Sequence, residues 1–175
     1  MTELELELIK FDKIINPFHK SIYWFKGKNY KKIPDENIFP NFYPVEEIII
    51  LSNLEPDRNI GIDLSETEYI FIDCDHERDY NYLIDYFSKN SIKYILTESR
   101  KGHGHFYFKT IPEVKEIFFT NFINTGIHDY YGLARLHPYS PVLPTNTNGR
   151  KFIRIEEPDF LPEIFLQEVK INVNN

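Results

Sequence analysis

An apolar run that ends in two acids constrains this chain more than any other feature. Residues 69–75 read Tyr-Ile-Phe-Ile-Asp-Cys-Asp, and such an apolar and aromatic run is typical of a buried strand. Side chains alternate along a strand, so Asp73 and Asp75 share one face and Cys74 points to the other. The fold must therefore place two carboxylates, one residue apart, at the end of a buried strand.

The segments that follow alternate between strand and helix patterns. Tyr82, Tyr86 and Phe87 recur at the spacing of one helical face. Strand–helix–strand–strand–helix–strand is the split βαβ pattern, which predicts an α+β protein with a ferredoxin/RRM-like catalytic core. We predict strands at 69–75, 92–97, 103–109 and 131–137, helices at 78–90 and 112–122, and a turn at 99–102.

The flanking segments complete one domain, 1–175. Residues 46–53 fit either a short strand or a buried helix, because periodicity alone does not separate the two. Further strands are expected from Asn59 and at 152–155, with a closing helix at 161–169. We predict a basic and aromatic N-terminal α/β unit at 1–56, packed on a catalytic core at 57–155.

The split βαβ pattern brings distant polar residues to one sheet edge. Its first strand is central, and the third and fourth strands flank it in antiparallel orientation. The end of the first strand therefore lies beside the starts of the other two. We expect the acids and histidines to share a face that the helices leave uncovered; these residues are Asp73, Asp75, His103, His105 and Asp129.

Three carboxylates at one edge repel one another unless cations neutralise them. Magnesium prefers oxygen ligands and binds through a few carboxylates together with substrate phosphates. Two such ions can activate an attacking hydroxyl and stabilise a leaving pyrophosphate. The competing interpretation makes Asp75 or Asp79 a cap for the following helix, and Glu98 is a further acid near the edge.

Charge and cysteine content exclude several classes of protein. A net charge of −7 argues against a simple nucleic-acid binder, although 14–34 holds five lysines, no acid and several aromatic residues. Cys74 is the sole cysteine, which excludes an internal disulfide and a multi-cysteine zinc site. The chain lacks a long apolar run, and acids stand where a signal peptide has bases, so we expect a cytoplasmic protein without membrane contact.

Three stretches together resemble the primase–polymerase (prim-pol) branch of the archaeo-eukaryotic primase superfamily. They read YIFIDCD, LTESRKGHGHFYF and HDYYGLARLHPYSP, and the resemblance covers residues 57–155. It implies a template-directed DNA primase or polymerase, a nucleotidyltransferase of DNA replication, with two Mg²⁺ or Mn²⁺ ions and nucleoside triphosphates as substrates. It also implies a single-stranded DNA template. The sequence shows no fused helicase or accessory domain, so we expect either a separate helicase or accessory primase subunit as partner, or a lone catalytic unit from a plasmid or virus.

The resemblance assigns roles to particular residues. Asp73, Asp75 and Asp129 are the expected metal ligands and catalytic acids. His105, which directly precedes Phe-Tyr-Phe, is the expected contact of the nucleotide phosphates, with support from Ser99. The turn between Ser99 and His105 is longer than the tighter turn of many family members, so His103 is the alternative. The remaining expected contacts are Ser99, Arg135 and Lys151 with the nucleotide, and Lys26, Lys28, Lys31 and Lys32 with the template.

Other functions fit parts of the same sequence. His103 and His105 are similar to the metal pair of rolling-circle replication nickases, with Tyr86 as the nucleophile. An aspartyl phosphatase would fit the Asp73–Asp75 pair, but it requires a parallel sheet. A catalytically silent nucleic-acid-binding relative would stack bases on an open sheet face through Tyr69, Phe71 and Tyr107. A zinc site would use Cys74 with histidines, although Cys74 is expected in the core.

Overall fold

The structure is a computed structural model that describes residues 1–16, 22–26, 42–121, 124–126, 133–137 and 141–166. These residues form an α+β protein, as the sequence predicted. The helices are α1 (Glu3–Ile15), α2 (Val45–Leu54), α3 (Glu77–Lys89) and α4 (Pro112–Asn121), followed by a short helical turn at 163–166. The strands are β1 (Ile22–Lys26), β2 (Arg58–Ile62), β3 (Tyr69–Cys74), β4 (Ile95–Arg100), β5 (His103–Lys109), β6 (Asn124–Gly126), β7 (Leu133–His137) and β8 (Lys151–Arg154).

Strand β3 lies inside a six-stranded sheet of order β6-β7-β3-β5-β4-β8. It pairs antiparallel with β5 on one side and with β7 on the other. The hairpin of β4 and β5 continues the sheet, and β8 forms its edge beyond β4. The expected central position of this strand between the third and fourth strands of the pattern is confirmed.

One face of the sheet carries a core formed with α3 and α4. Ile72, Phe106 and Phe108 point into it and are fully buried. From α3, Leu83 and Phe87 pack against them, and the Phe87 ring lies 5.3 Å from that of Phe108. Burying each large apolar side chain stabilises the fold by about 1.5–3 kcal/mol, so this face fixes the helices on the sheet.

The opposite face is also covered, which contradicts the expectation of an open surface. Phe71 and Tyr107 lie in a second core, in which the Phe11 ring of α1 contacts Tyr107 at 5.2 Å. Helix α2 adds Val45 and Ile48 to the same core. Tyr69, Phe71 and Tyr107 are at most 5% exposed, so they offer no surface on which bases could stack.

Helix α1 was not predicted from the sequence. It begins with a capping box, in which the Thr2 hydroxyl accepts from the Glu5 N–H and the Glu5 carboxylate accepts from the Thr2 N–H. Leu8, Phe11 and Ile15 follow at helical spacing and are buried. The helix therefore lays one apolar stripe on the second core.

The ambiguous segment after Pro44 is a helix. Val45 and Ile48 are three positions apart and buried. Glu46 and Glu47 occupy the first turn, where their carboxylates interact favourably with the positive end of the helix dipole. Strands β1 and β2 form a separate two-stranded antiparallel sheet beside it. None of the described helices has the length and apolarity needed to cross a membrane.

Candidate active site at the end of strand β3

A row of polar residues crosses the sheet near the end of β3. Asp73 stands directly opposite His105 of β5 on one side and Arg135 of β7 on the other. Thr97 of β4 stands opposite His105 in turn. Directly opposed residues of antiparallel strands share a face. Sheet register thus brings together an acid, an imidazole and an arginine that are far apart in the chain.

Asp73 and His105 are in direct contact. The Nε2 atom of His105 lies 3.3 Å from Oδ1 of Asp73, and the two side chains are only 6% and 14% exposed. The ring of Phe71 lies 4.8 Å from the imidazole on its other side. Water is largely excluded from this pair, so its electrostatic interaction is stronger than that of a surface pair.

Asp75 follows the last residue of β3 and is exposed. The N-cap of α3 is His76, which makes no side-chain capping hydrogen bond. Asp75 therefore does not cap the helix, and its carboxylate stays available to solvent or a ligand. Asp79 is buried in the first turn of α3, where desolvation raises its pKa and the nearby His76 and Arg78 partly offset this effect.

Two glycines fix the β4–β5 hairpin beside this acidic loop. Gly102 has φ +75°, and a Cβ atom there would lie 2.6 Å from Cβ of Glu77 at the start of α3. At Gly104 a Cβ atom would lie 2.7 Å from the carbonyl oxygen of Thr97. The Ser99 hydroxyl donates a long hydrogen bond of 3.5 Å to the His103 carbonyl. The turn predicted at 99–102 is a tight hairpin packed on α3, and β4 continues through Arg100.

Thr97 and Arg150 join this candidate site although the sequence did not single them out, and Tyr107 was expected only as a base-stacking residue. Tyr107 is fully buried, and desolvation raises the pKa of its hydroxyl. The charge of Asp73 raises this pKa further, whereas Arg150 and Thr97 lower it. Nη1 of Arg150 is buried without a hydrogen-bond partner among the described residues. Arg150 directly precedes Lys151, and no local sequence signal separates the two cations.

The loop before β8 holds Arg150 in place. The Asn148 carboxamide oxygen accepts hydrogen bonds from the backbone N–H groups of Thr145, at 3.1 Å, and Arg150, at 3.0 Å. The Thr147 hydroxyl donates to the carbonyl of Pro56 at 2.7 Å, which anchors the loop to the N-terminal part of the chain. Arg150 therefore enters β8 from a well-ordered turn.

Lys151 lies on the other face of the sheet from Asp73. It stands opposite Glu98, which is opposite Gly104, and this row belongs to the face of α3. Glu98 accepts a hydrogen bond of 2.6 Å from the Tyr80 hydroxyl of α3. The register therefore contradicts a position for Lys151 beside Asp73, and it also removes Glu98 from the candidate acids.

The expected metal ligands are described only in part. The third expected acid, Asp129, lies outside the described residues. Of the lysines expected to contact the template, only Lys26, the last residue of β1, is described; the others are Lys28, Lys31 and Lys32. Asp73 and Asp75 supply the hard oxygen donors that Mg²⁺ and Mn²⁺ prefer. Within the described part of the chain, no three histidine, cysteine or acidic residues lie close enough to hold an ion.

Two alternative assignments lose support from the geometry. Cys74 is buried on the face of α3, and desolvation raises the pKa of its thiol to about 12, so a zinc-bound thiolate is disfavoured. Tyr86 lies nine residues beyond the start of α3, roughly 13 Å along the helix from the end that adjoins Asp75. Its ring stacks on that of Tyr82, with 6.2 Å between the ring centroids. The position of Tyr86 along α3 therefore separates it from the histidines that a nickase requires.

Comparison with protein-family models, with curated proteins and with solved structures finds no significant match for this chain. The site therefore has to be interpreted from its own residues and geometry.

Proposed function

We propose that this protein is a metal-dependent nucleotidyltransferase that joins nucleotides on a single-stranded DNA template, as a primase or polymerase. The observation that carries the proposal is the position of Asp73, opposite His105 and Arg135 and two residues before the exposed Asp75. Two carboxylates beside cationic and imidazole groups suit a substrate that brings both phosphates and divalent ions.

The strand order supports a ferredoxin-like interpretation of the core. Strands β7, β3, β5 and β4 lie side by side in that order, with β3 antiparallel to both of its neighbours. Helix α3 connects β3 to β4, and the hairpin from β4 leads into β5. These connections are those of a split βαβ unit, so we infer that fold for the core.

The proposed reaction is attack of a 3′-hydroxyl on the α-phosphorus of a nucleoside triphosphate, with pyrophosphate as the leaving group. Mg²⁺ or Mn²⁺ ions, when bound, lower the pKa of the hydroxyl and neutralise the triphosphate. Asp73 and Asp75, with Asp129 as the expected third acid, are the residues that would hold them. Asp73 projects from the middle of a sheet, so its carboxylate is held by a rigid element.

The roles of the two histidines follow from their burial. The resemblance implied that His105 contacts the phosphates, with His103 as the alternative, but the His105 side chain is almost fully buried and its Nε2 atom lies 3.3 Å from Asp73. We therefore assign His105 to the orientation of Asp73, in the way that an outer-shell partner orients a metal ligand. His103, which is half-buried at the open end of β5, takes the phosphate contact.

Arginine side chains supply the remaining phosphate contacts. Arg135 is exposed opposite Asp73. We replace Lys151 by Arg150, whose Nη1 atom is buried and has no hydrogen-bond partner among the described residues. A guanidinium presents its donors in a fork that matches phosphate oxygens. We therefore propose that the guanidinium of Arg150 contacts the incoming triphosphate.

The template contact rests on the basic N-terminal segment. Lys26 stands opposite Arg58 in the register of β1 and β2. Lysine side chains neutralise DNA phosphates and release their counterions, so we propose that Lys26 contacts the template backbone. We expect the same contact with the template from three further lysines, which are Lys28, Lys31 and Lys32.

The direct test is incorporation of labelled nucleotides on single-stranded DNA, with and without an annealed primer, in Mg²⁺ or Mn²⁺. We expect product in at least one metal, and no product when EDTA is added. Product in the unprimed reaction would identify a primase, and product in the primed reaction alone a polymerase. Binding of DNA that is indifferent to EDTA, without incorporation under any condition, would instead identify a non-catalytic DNA-binding protein.

A further inference from the structure

A second surface lies at the opposite end of β3 from the candidate active site. Residues 65–68 precede β3, and residues 109–112 run from the end of β5 into α4. Together with a further part of α4 and Phe160 they line a groove of about 720 Å³. Six strand residues at about 3.3 Å each separate it from the end of β3, a distance of roughly 20 Å. We call this surface the Phe160 groove; its lining includes Glu66, Glu68, Ile111, Lys115 and Phe160.

The Phe160 groove presents a large apolar side chain on a fixed backbone. Phe160 is 61% exposed and Ile111 is 48% exposed. The residues on both sides of Phe160 are tied to Lys109, since the Lys109 N–H donates to the Asp159 carbonyl at 2.9 Å and the Leu161 N–H donates to the Lys109 carbonyl at 2.8 Å. The ring is therefore held in the open by ordered backbone, and exposed apolar surface of this kind marks interaction sites.

The acidic side of the groove is equally well ordered. The Lys115 side chain is buried, and its ammonium donates to the carbonyl oxygens of Leu64 and Thr67. The Thr67 N–H donates to the Leu64 carbonyl at 3.0 Å, which closes the turn. The Thr110 N–H donates to the Glu68 carbonyl at 2.8 Å and joins this turn to the end of β5. A preformed groove loses little conformational entropy when it binds.

The charges that face outward in the groove are negative. Glu66 and Glu68 are exposed on the turn before β3. The two lysines of the lining are already engaged, Lys109 by Glu157 and Lys115 by the two carbonyls. Burial also lowers the pKa of Lys115 to about 8, although nearby acids oppose this effect, so its positive charge is incomplete in mildly alkaline solution. DNA is repelled by such a surface, whereas a cationic ligand is attracted.

We propose that the Phe160 groove docks a basic peptide segment of a partner protein, which inserts an apolar side chain against Phe160 and Ile111 and places lysines or arginines beside Glu66 and Glu68. Apolar anchors flanked by charge-complementary contacts are the usual composition of a peptide-binding surface. The groove is far from Asp73, so the partner binds without covering the candidate active site. This proposal stands independently of the nucleotidyltransferase assignment.

The test uses fluorescence anisotropy of short labelled peptides with the full-length chain. One peptide alternates lysine with phenylalanine and leucine, a second carries glutamate in place of each lysine, and a single-stranded DNA oligonucleotide serves as the third probe. We expect saturable binding of the basic peptide alone. Phe160→Ser should weaken it by at least about fivefold, as loss of an interface anchor does, and Glu66→Gln combined with Glu68→Gln should reduce its salt dependence.

Leu54→Ser is the matched control, because Leu54 is 72% exposed on α2 and lies outside the groove. It should leave peptide binding unchanged, and thermal unfolding should show that all variants remain folded. Equal binding of the acidic peptide, binding that survives Phe160→Ser unchanged, or no saturable binding would overturn the proposal. Sedimentation that shows self-association lost in Phe160→Ser would also overturn it, since the occupant would then be a second copy of the chain.

Discussion

The imidazole of His105 meets the carboxylate of Asp73 at 3.3 Å in the interior of a six-stranded sheet, where both side chains are largely shielded from water. A carboxylate held in this way keeps one orientation, and Asp75 extends the acidic end of the same strand toward solvent. The pair links the fold to the proposed chemistry, because the register that joins β3 to β5 also positions Asp73, the proposed metal ligand.

Substitution of the two histidines should separate orientation from substrate binding. His105→Gln removes the contact with Asp73, so we expect a rise in the Mn²⁺ concentration for half-maximal activity, by roughly 10–100-fold as for other outer-shell partners. His103→Gln should instead raise KM for the nucleotide with a smaller metal effect. Steady-state kinetics over a series of metal and nucleotide concentrations measures both. Identical profiles for the two variants would contradict the division of roles.

Arg150 and Lys151 offer a matched pair of neighbouring cations on opposite faces. We expect Arg150→Gln to raise KM for the nucleotide by about 10–100-fold, since a charged hydrogen bond is worth roughly 1.5–3 kcal/mol. Lys151→Gln should change KM by less than about twofold, because an exposed charge away from the ligand contributes little. The reverse order of effects would restore Lys151 as the phosphate contact and refute the assignment of Arg150.

Substitution of Gly104 in the β4–β5 hairpin should lower the free energy of unfolding. Gly104→Ala places a methyl group 2.7 Å from the Thr97 carbonyl oxygen and 2.9 Å from Cδ1 of Leu96. The carbonyl belongs to a paired strand and has little room to move, so we expect a loss of about 1–3 kcal/mol in the free energy of unfolding. Urea denaturation monitored by circular dichroism measures it.

Gly149→Asn provides the comparison for Gly104→Ala. Gly149 has φ +73° with open space around the position of a Cβ atom, and asparagine tolerates this conformation better than other side chains. The free energy of unfolding of Gly149→Asn should stay within about 0.5 kcal/mol of that of the original protein. If Gly104→Ala changes the free energy of unfolding as little as Gly149→Asn does, Gly104 does not pack closely against the Thr97 carbonyl.

Buried tyrosines predict a loss of stability in alkali. Burial raises the pKa of Tyr69 to about 12 and also raises that of Tyr80 and Tyr107. The unfolded chain releases these protons near pH 10, whereas the folded chain retains them, so the free energy of unfolding falls as the pH rises from about 10 to 12. Titration at 295 nm should show a late-ionising class of tyrosines.

Tyr107→Phe tests the alkaline prediction at one residue. It removes one ionising group from the unfolded chain, so the slope of stability against pH above pH 10 should become less steep. The slope should not change between pH 7 and 9, where tyrosine stays protonated in both states. An unchanged slope above pH 10 would mean that Tyr107 is accessible to hydroxide in the folded protein.

Much of the core fold was accessible from the sequence, because strong local patterns determined it. The run from Tyr69 and the alternation around Phe106 defined β3 and β5, and their antiparallel pairing placed Asp73 beside His105 as expected. Asp75 falls just beyond the strand, since α3 begins at Glu77 and the chain must turn between them.

The features that were missed depend on tertiary packing. The alternation of glutamate and leucine at 3–8 is not a helical pattern, yet the capping box and the apolar stripe of Leu8, Phe11 and Ile15 produce α1. That helix covers the sheet face that was expected to be open. The distinction between Arg150 and Lys151 also depended on the register of β8 with β4, which no local pattern specifies.

Nucleotide incorporation by Asp73→Asn is the decisive test of the proposed role of Asp73 in nucleotidyl transfer. Asp85→Asn is the control, because Asp85 is an exposed acid of α3 that pairs with Lys89. With Mn²⁺ and single-stranded DNA, we expect Asp73→Asn to lose at least about 100-fold in rate while it keeps the thermal stability and DNA binding of the original protein. Asp85→Asn should keep full activity. Incorporation by Asp73→Asn at the rate of the original protein would contradict the account.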